Sequence, residues 1–414
     1  MSPRRSHPTL ASLLVGLDYK ILSASGETSQ LELPITSITS DSRVFTSGAL
    51  FVALLGVVND GHDFLEKAVA GGCAAVLCAA GKVSESRLKT LNVVVVEVAN
   101  TSFAYAAVAA NYFHRPAKKL SCVGVTGTNG KTTVTYLLEE IFLRNGWNVG
   151  VIGTVNNRYT LKSGVRKVLG TRFTTPEAFI LQQVLREMVD AGVDHLIMEV
   201  SSHALDQARI GGIVFEAAAF TNLTRDHLDY HSDLSAYFQA KTKLFSDYLK
   251  ARGTAVLPLP KDESDSWSWL QPLHDLCIKT GKRIIGWGEN ARAEVHLTSF
   301  QSGLDRTDLQ LATPSGVKTF ASPLVGRFNV ENILTVYGLC LAMHIDETLV
   351  CDTFSSAGGA PGRLERVAVG SAWNSHGPVV LVDYAHTPDA LEKVLLTARA
   401  LPHRDLFLRL RLRR

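Results

Sequence analysis

Leu120-Ser121-Cys122-Val123-Gly124-Val125-Thr126-Gly127-Thr128-Asn129-Gly130-Lys131-Thr132-Thr133 reads as an apolar strand running into a glycine-rich turn, with a Lys-Thr pair opening a helix. That order builds a polyphosphate site. Small residues let backbone N–H groups close around phosphate oxygens, and the helix N-terminus adds partial positive charge. Lys131 is placed to reach terminal phosphates, and the Thr132 hydroxyl to ligate Mg2+. The usual P-loop carries a further glycine five positions before its second one. Here that position is Val125, so the motif is a shortened variant. Thr126, Gly127, Thr128, Asn129, Gly130, Lys131 and Thr132 are the expected nucleotide contacts.

Outward from this motif the chain alternates short apolar strands with helical or loop sequence. Trp147 to Gly153, Asp194 to Val200 and Ala217 to Asn222 are the strands, and Glu331 to Met343 a closing helix. Such alternation predicts α/β structure with a mostly parallel, doubly wound sheet, whose ligands collect at the carboxyl ends of the strands. Upstream, Ala49–Leu54 and Val93–Val98 read as strands, with a helix over Asp63–Ala70 between them that leads into the buried run Ala74–Cys78. Downstream, Val379–Tyr384 reads as a strong strand and Pro388–Ala400 as a helix. Three domains follow: 1–115, 116–356 and 357–414.

Bulk properties narrow the class. The 414 residues are 46% hydrophobic and 20% charged, ordinary for a soluble globular chain. No apolar run approaches the ~18 residues of a membrane helix. Arg4 and Arg5 before Leu10–Leu17 imitate a signal peptide, but Asp18-Tyr19-Lys20 follows where small residues belong, and a first amphipathic helix is the better reading. The six cysteines form no CxxC pair and mostly sit in apolar runs, which suits buried thiols in a reducing cytoplasm. The net charge of +3 comes from the tail, where residues 404–414 hold five Arg and one Asp. No nucleic-acid or membrane partner is implied.

Glu199 closes a strand beside the P-loop, the place for a carboxylate that holds Mg2+ directly or through water. The polar, His-rich stretch Phe220–His231 leaves another strand on the same side, and His227 in it is a candidate ligand for a second metal. A helix over Tyr237–Phe245 then carries Lys241 and Lys243; a solvated face is the default for both.

These residues resemble the Mur ligases of peptidoglycan synthesis, in the branch that adds the third amino acid. The matching segments are Thr39–Val44, Thr126–Thr133, Thr174–Glu177, Met198–Arg209, Thr221–Lys241, Gly326–Asn332, Gly362–Glu365 and Asp383–Asp389, in family order. The resemblance implies a three-domain Mur ligase architecture with a central P-loop domain and an incomplete Rossmann-like third domain. It also implies ATP-dependent amide ligation through an acyl phosphate. The substrates would be UDP-N-acetylmuramoyl-L-alanyl-D-glutamate and a diamino acid, with meso-diaminopimelate ahead of lysine. By resemblance Ser42 contacts the uridine-linked substrate. Thr174, Thr175, Ser201, Gln207 and Arg209 contact its muramoyl-dipeptide part. Asn329 and Asn332 lie near adenine, and Arg363 and Asp383 close over ATP. Lys241 matches a lysine carbamylated by CO2, so Lys131, Glu199, His227 and Lys241 form the expected catalytic set. Thr132, Glu199, His227 and Lys241 are the expected Mg2+ ligands.

Relatives continue past the Pro388–Ala400 helix with a strand, a glycine-rich loop and the segment that binds the incoming amino acid. Here Leu406–Leu408 offers a possible strand start, and a Leu/Arg alternation follows. The expectation is a truncated or frame-shifted third domain. Its counterpart is a remnant that binds ATP or the UDP-linked dipeptide without turnover. Sister enzymes such as folylpolyglutamate synthetase are disfavoured by the Ser42 segment and by Thr174-Thr175-Pro176.

Overall fold

The strand that enters the glycine-rich turn is the pivot of a large sheet. The computed structural model describes residues 7–22, 30–44, 46–56, 59–170, 173–227, 229–261, 265–367, 379–386 and 388–410. Arg4, Arg5, Leu228, Thr387 and residues 411–414, which enter the sequence reading, lie outside them. By contacts the chain divides into two compact units, one of 1–120, 175–191 and 203–213, the other of 121–174, 192–202 and 214–414.

The first unit holds a five-stranded sheet of β1 (Tyr19–Ile21), β2 (Ile38–Thr39), β3 (Leu50–Val52), β4 (Ala75–Ala79) and β5 (Val94–Val98), in the order β1-β5-β4-β3-β2. All neighbours pair in parallel except β1 with β5. Period-2 alternation sends Leu50, Leu77 and Val96 into one apolar layer with Leu10, Leu13 and Val108, and Phe51, Val76 and Val95 into the opposite layer. Sheets covered on both faces read as continuous hydrophobic runs, which is why these strands were legible. A later helix, Ala178–Asp190, also belongs here: Phe179 packs on Tyr112 and Phe113, with ring centroids 5.5 and 5.0 Å apart.

The second unit is built on an 11-stranded sheet. Its strands are β6 (Ser121–Thr126), β7 (Val149–Ile152), β8 (Asn157–Thr160), β9 (Arg166–Leu169), β10 (His195–Glu199), β11 (Phe215–Phe220), β12 (Leu249–Pro258), β13 (Arg283–Gly288), β14 (Val295–Ser302), β15 (Thr307–Thr313) and β16 (Gly316–Ser322). The run β14-β13-β12-β11-β6-β10-β7 is parallel throughout. At each edge the sheet turns antiparallel, through β7-β8-β9 and β14-β15-β16. The helices Lys131–Arg144 and Arg327–Ala342 bury Leu137, Ile141, Ile333 and Val336 with the sheet residues Val123, Ile197 and Val256.

Two expectations need correction. Among the described residues Val379–Tyr384 is not a full strand: β18 (Leu381–Val382) forms a ladder with β17 (Glu365–Arg366), and Val380 and Tyr384 add single backbone bonds to Val367 and Gly362. The partner is two residues long. Beyond it the Asp383 carboxylate accepts from Leu364 N and Ala385 N, at 2.7 Å each, and turns the chain. Leu406–Leu408 starts no strand either; it is exposed, Phe407 at 91%, and forms no ladder among the described residues.

Candidate functional site

Because β6, β10, β7 and β11 are parallel neighbours, their carboxyl ends lie side by side, and four loops converge there. The turn after β6 needs its glycines. Gly127 has φ 140°, and a Cβ on it would stand 2.0 Å from Thr221 Oγ1. Gly130 has φ 89°, and its Cβ would stand 2.2 Å from Asn332 Oδ1. Only glycine combines a positive φ with such close neighbours.

The segment after β11 straps this turn. Thr128 N donates to Asn222 O at 2.9 Å, Asn129 N to Asn222 Oδ1 at 2.9 Å, and Thr221 Oγ1 to Asn129 O at 2.6 Å. Thr224 N donates to Thr128 Oγ1 at 3.0 Å. The sequence reading passed over Asn222 and Thr224 as individual residues; as the first polar residues after a buried strand beside the P-loop they were findable.

Two lysines meet at one carbonyl of the turn. Lys131 Nζ donates to Gly127 O at 2.9 Å and to Thr128 O at 2.8 Å; Lys241 Nζ donates to Gly127 O at 2.8 Å. Lys241 is only 1% exposed, which overturns the default of a solvated helix face. Its helix, Leu234–Lys243, starts at Asp233, whose carboxylate accepts from Ala236 N at 2.8 Å. Burial, then the nearby Lys131 charge, push the Lys241 amine well below the usual lysine range; Asp226 opposes them. Burial also lowers Lys131, against the pull of Glu199. His227 is lowered mainly by burial, and Asp226 counters. The ring of Tyr237 lies 4.3 Å from Lys241 Nζ, and its hydroxyl donates to Thr128 Oγ1 at 3.3 Å.

Glu199 ends β10 and is 1% exposed. Thr132 Oγ1 donates to its Oε2 at 3.2 Å. The parallel register pairs Met198 with Ile152, which brings Glu199 level with Gly153. A Cβ there would stand 2.4 Å from Glu199 Oε1. Thr154 follows and donates twice, from N to Oε1 at 3.2 Å and from Oγ1 to Oε2 at 2.8 Å. Thr154 was not foreseen. A buried hydroxyl–carboxylate pair at a P-loop helix is a set of hard oxygen donors suited to Mg2+.

The other expected residues fall in smaller groups. Thr174 Oγ1 is 3.0 Å from Thr154 Oγ1. In the first unit, Arg209 donates to Gln207 Oε1 at 2.9 and 2.6 Å and to Thr175 O at 3.3 Å. Ser42 sits in a turn of that unit beside Asp41, whose carboxyl the Arg43 guanidinium holds down to about 2. Asn332 donates to Asn329 Oδ1 at 3.2 Å, and Asn329 to Val325 O at 2.9 Å. Arg363 lies over the Tyr384 ring at 5.3 Å, and its charge contributes to lowering Lys131. Ser201 follows Glu199 on the loop after β10.

A cavity of about 380 Å³ adjoins the turn. Asn222, Trp269, Trp287, Glu289, Arg327 and Glu331 are among its walls. Asn222 both straps the turn and lines the cavity, so a ligand with phosphates on the turn has an aromatic-walled space beside it. No helix among the described residues is long and apolar enough to cross a membrane.

The chain is similar to known proteins over most of its length. Residues 125–340 match the Mur ligase middle domain, and residues 34–113 the Mur ligase family catalytic domain. A UDP-N-acetylmuramoyl-L-alanyl-D-glutamate–2,6-diaminopimelate ligase from Gloeobacter violaceus is 38% identical over 96% of this chain and 74% of its own length. A solved ligase of the same description superposes with TM-score 0.72 at 27% identity, over 95% of this chain and 74% of that one. The fold is shared with the MurF ligase of Thermotoga maritima in complex with ADP, at TM-score 0.56 and 17% identity over 88% of this chain and 75% of that one. On these likenesses the chain belongs to the Mur ligase family, in the branch of the 2,6-diaminopimelate ligases.

Proposed function

We propose that the protein is an ATP-dependent amide ligase that joins a diamino acid, meso-diaminopimelate, to UDP-N-acetylmuramoyl-L-alanyl-D-glutamate in the cytoplasm. The observation that carries this reading is the meeting of Lys131 and Lys241 on the Gly127 carbonyl. A P-loop needs one lysine for phosphate; a second, buried one beside it is the mark of this family's chemistry.

In the first step the free side-chain carboxylate of the D-glutamate attacks the γ-phosphorus of ATP. The bond to the β,γ-bridging oxygen breaks and ADP leaves, giving an acyl phosphate. The amine then attacks the acyl carbon, and the tetrahedral adduct collapses with loss of phosphate and a proton. Two anions must approach each other first, so positive charge has to stand between them. Lys131 exchanges its two loop carbonyls for phosphate oxygens. The loop N–H groups and the start of the Lys131–Arg144 helix hold the rest. Thr132 and Glu199 offer the hydroxyl and carboxylate that would hold Mg2+, which supplies charge neutralisation at the phosphates. The Lys241 amine, whose charged form burial disfavours, adds to CO2 as the free base with loss of a proton. The resulting carbamate and His227 would provide ligands for a second Mg2+. Arg363 and Asp383 belong to the part that closes over the nucleotide. Ser42, Thr174, Thr175, Ser201, Gln207 and Arg209 hold the UDP-linked dipeptide, in the roles the resemblance gives them. In this reading 1–115, 116–356 and 357–414 serve as substrate, ATP and closing domains.

The test is ADP release by the purified chain with Mg2+, bicarbonate and the UDP-linked dipeptide. Turnover that requires diaminopimelate, and that lysine supports poorly, is expected. Absence of ADP release with either amine would refute the assignment.

The base of the nucleotide belongs in the cavity beside Asn222. ADP should then quench the fluorescence of Trp269 and Trp287. Trp269→Leu should weaken ADP binding roughly tenfold, since base–aromatic stacking contributes about 1–3 kcal/mol. Unchanged affinity in that variant would place the base elsewhere.

A further inference from the structure

We infer that Thr154 is a positioning residue for the Glu199 carboxylate, setting the cation affinity of the nucleotide site. The inference rests on the ligase reading above and adds to it a residue that no sequence motif marks.

The argument begins with hydrogens. A threonine hydroxyl has one proton and accepts through its oxygen. The Thr154 hydroxyl lies 2.8 Å from Glu199 Oε2 and 3.0 Å from Thr174 Oγ1. A carboxylate only accepts, so the Thr154 proton goes to Glu199, and the Thr174 hydroxyl donates in turn to Thr154. Thr132 donates to the same Oε2 from the other side, at 3.2 Å. The Thr154 backbone N–H takes Oε1 at 3.2 Å. Both carboxylate oxygens are thereby held, with Oε2 facing Thr132 at the head of the Lys131–Arg144 helix.

Backbone geometry makes the grip possible. Gly153 stands level with Glu199 across the β7–β10 pair, and any side chain there would collide with Oε1. The strand end is therefore bare at 153 and brings a hydroxyl at 154. Thr154 itself is exposed to solvent, so its replacement disturbs no apolar layer. The partner outside a ligand set fixes which way the ligand points, and losing such a partner costs about 10–100-fold in metal affinity.

The discriminating experiment is Mn2+ binding, followed by electron paramagnetic resonance in the presence of ADP, on the full chain. Thr154→Val removes the hydroxyl but keeps the backbone N–H and the side-chain shape. Its Mn2+ dissociation constant should rise by about 10-fold or more. Thr154→Ser should return to within about 2-fold of wild type, as a hydroxyl role requires. ADP affinity in chelator should stay the same in all three proteins, and the unfolding temperature of Thr154→Val should fall by no more than about 5 °C. Wild-type affinity in Thr154→Val, or a Thr154→Ser as weak as Thr154→Val, would overturn the inference. Failure of the wild type to take up Mn2+ with ADP would instead sink the nucleotide–metal reading on which it rests.

Discussion

Lys241→Ala should abolish ligation while leaving the nucleotide site in place. ADP release in the presence of both substrates is expected to fall at least about 100-fold, the scale for removing a preorganised electrostatic group. ADP affinity should change by less than about 3-fold, because Lys241 bonds to the glycine-rich turn at the Gly127 carbonyl, while the groups that take the phosphates, Lys131 and the loop N–H groups, are left unchanged. The alanine also removes an amine whose burial is unfavourable, so the variant should fold. Short-chain carboxylates such as acetate or propionate should restore part of the activity, since they return anionic oxygens to the space the carbamate leaves. The lowered amine range adds a sign. A protonated amine cannot add to CO2, so activity in limiting bicarbonate should decline as pH falls through that lowered range, and extra bicarbonate should offset the decline. Full activity of Lys241→Ala, or no response to added carboxylate, would show that the buried amine has another task.

Much of this site could be read from the chain because its parts are local. A strand, two glycines, a lysine and a threonine in one short stretch define the turn, and their order alone carries the phosphate geometry. Glu199 was reachable for a related reason: a carboxylate closing a buried parallel strand has few other uses beside a P-loop. What escaped was set by partners distant in sequence. Thr154 matters because β7 pairs with β10 in a particular register, and neither strand says so by itself. The burial of Lys241 depends on the Gly127 carbonyl, 114 residues earlier. The antiparallel edges of the large sheet escaped likewise. Arg166–Leu169 is almost wholly exposed and shows no apolar signal, while β15 alternates cleanly but is flanked by β14 and β16, which have few buried positions. Val379–Tyr384 misled in the opposite direction. Its composition is that of a buried strand, yet strand length is decided by the partner, and β17 offers two residues.

The largest stability loss should come from Arg158→Ala, at about 3–5 kcal/mol, the range for breaking one side of a buried ion pair. Arg158 is 1% exposed and lies on β8, in the antiparallel edge that the sequence did not announce. Its Nε and Nη2 donate to Glu139 Oε2 at 2.8 and 2.6 Å, and its guanidinium rests 3.9 Å from the Tyr136 ring centroid. Thr160 Oγ1 donates to Glu139 Oε1 at 3.2 Å. Alanine would leave a buried carboxylate with the threonine hydroxyl and no cation, and calorimetry should show melting roughly 10 °C lower. Arg158→Met combined with Glu139→Leu should recover most of that loss, because an apolar pair of similar volume avoids burying either charge. If the single variant melts with the double, the pair contributes nothing and the edge is held by packing alone. The pair also bears on the site. Glu139 stands on the helix that begins at Lys131, and Arg158 Nη1 donates to Asn156 Oδ1 at 3.2 Å, two residues beyond Thr154. One buried cation thus ties the phosphate-binding helix to the loop that holds Glu199. Arg158→Ala assayed below its melting temperature should therefore need more Mg2+ for half-maximal ADP release, whereas the apolar double variant, which restores the packing but not the Asn156 contact, should fall between the two.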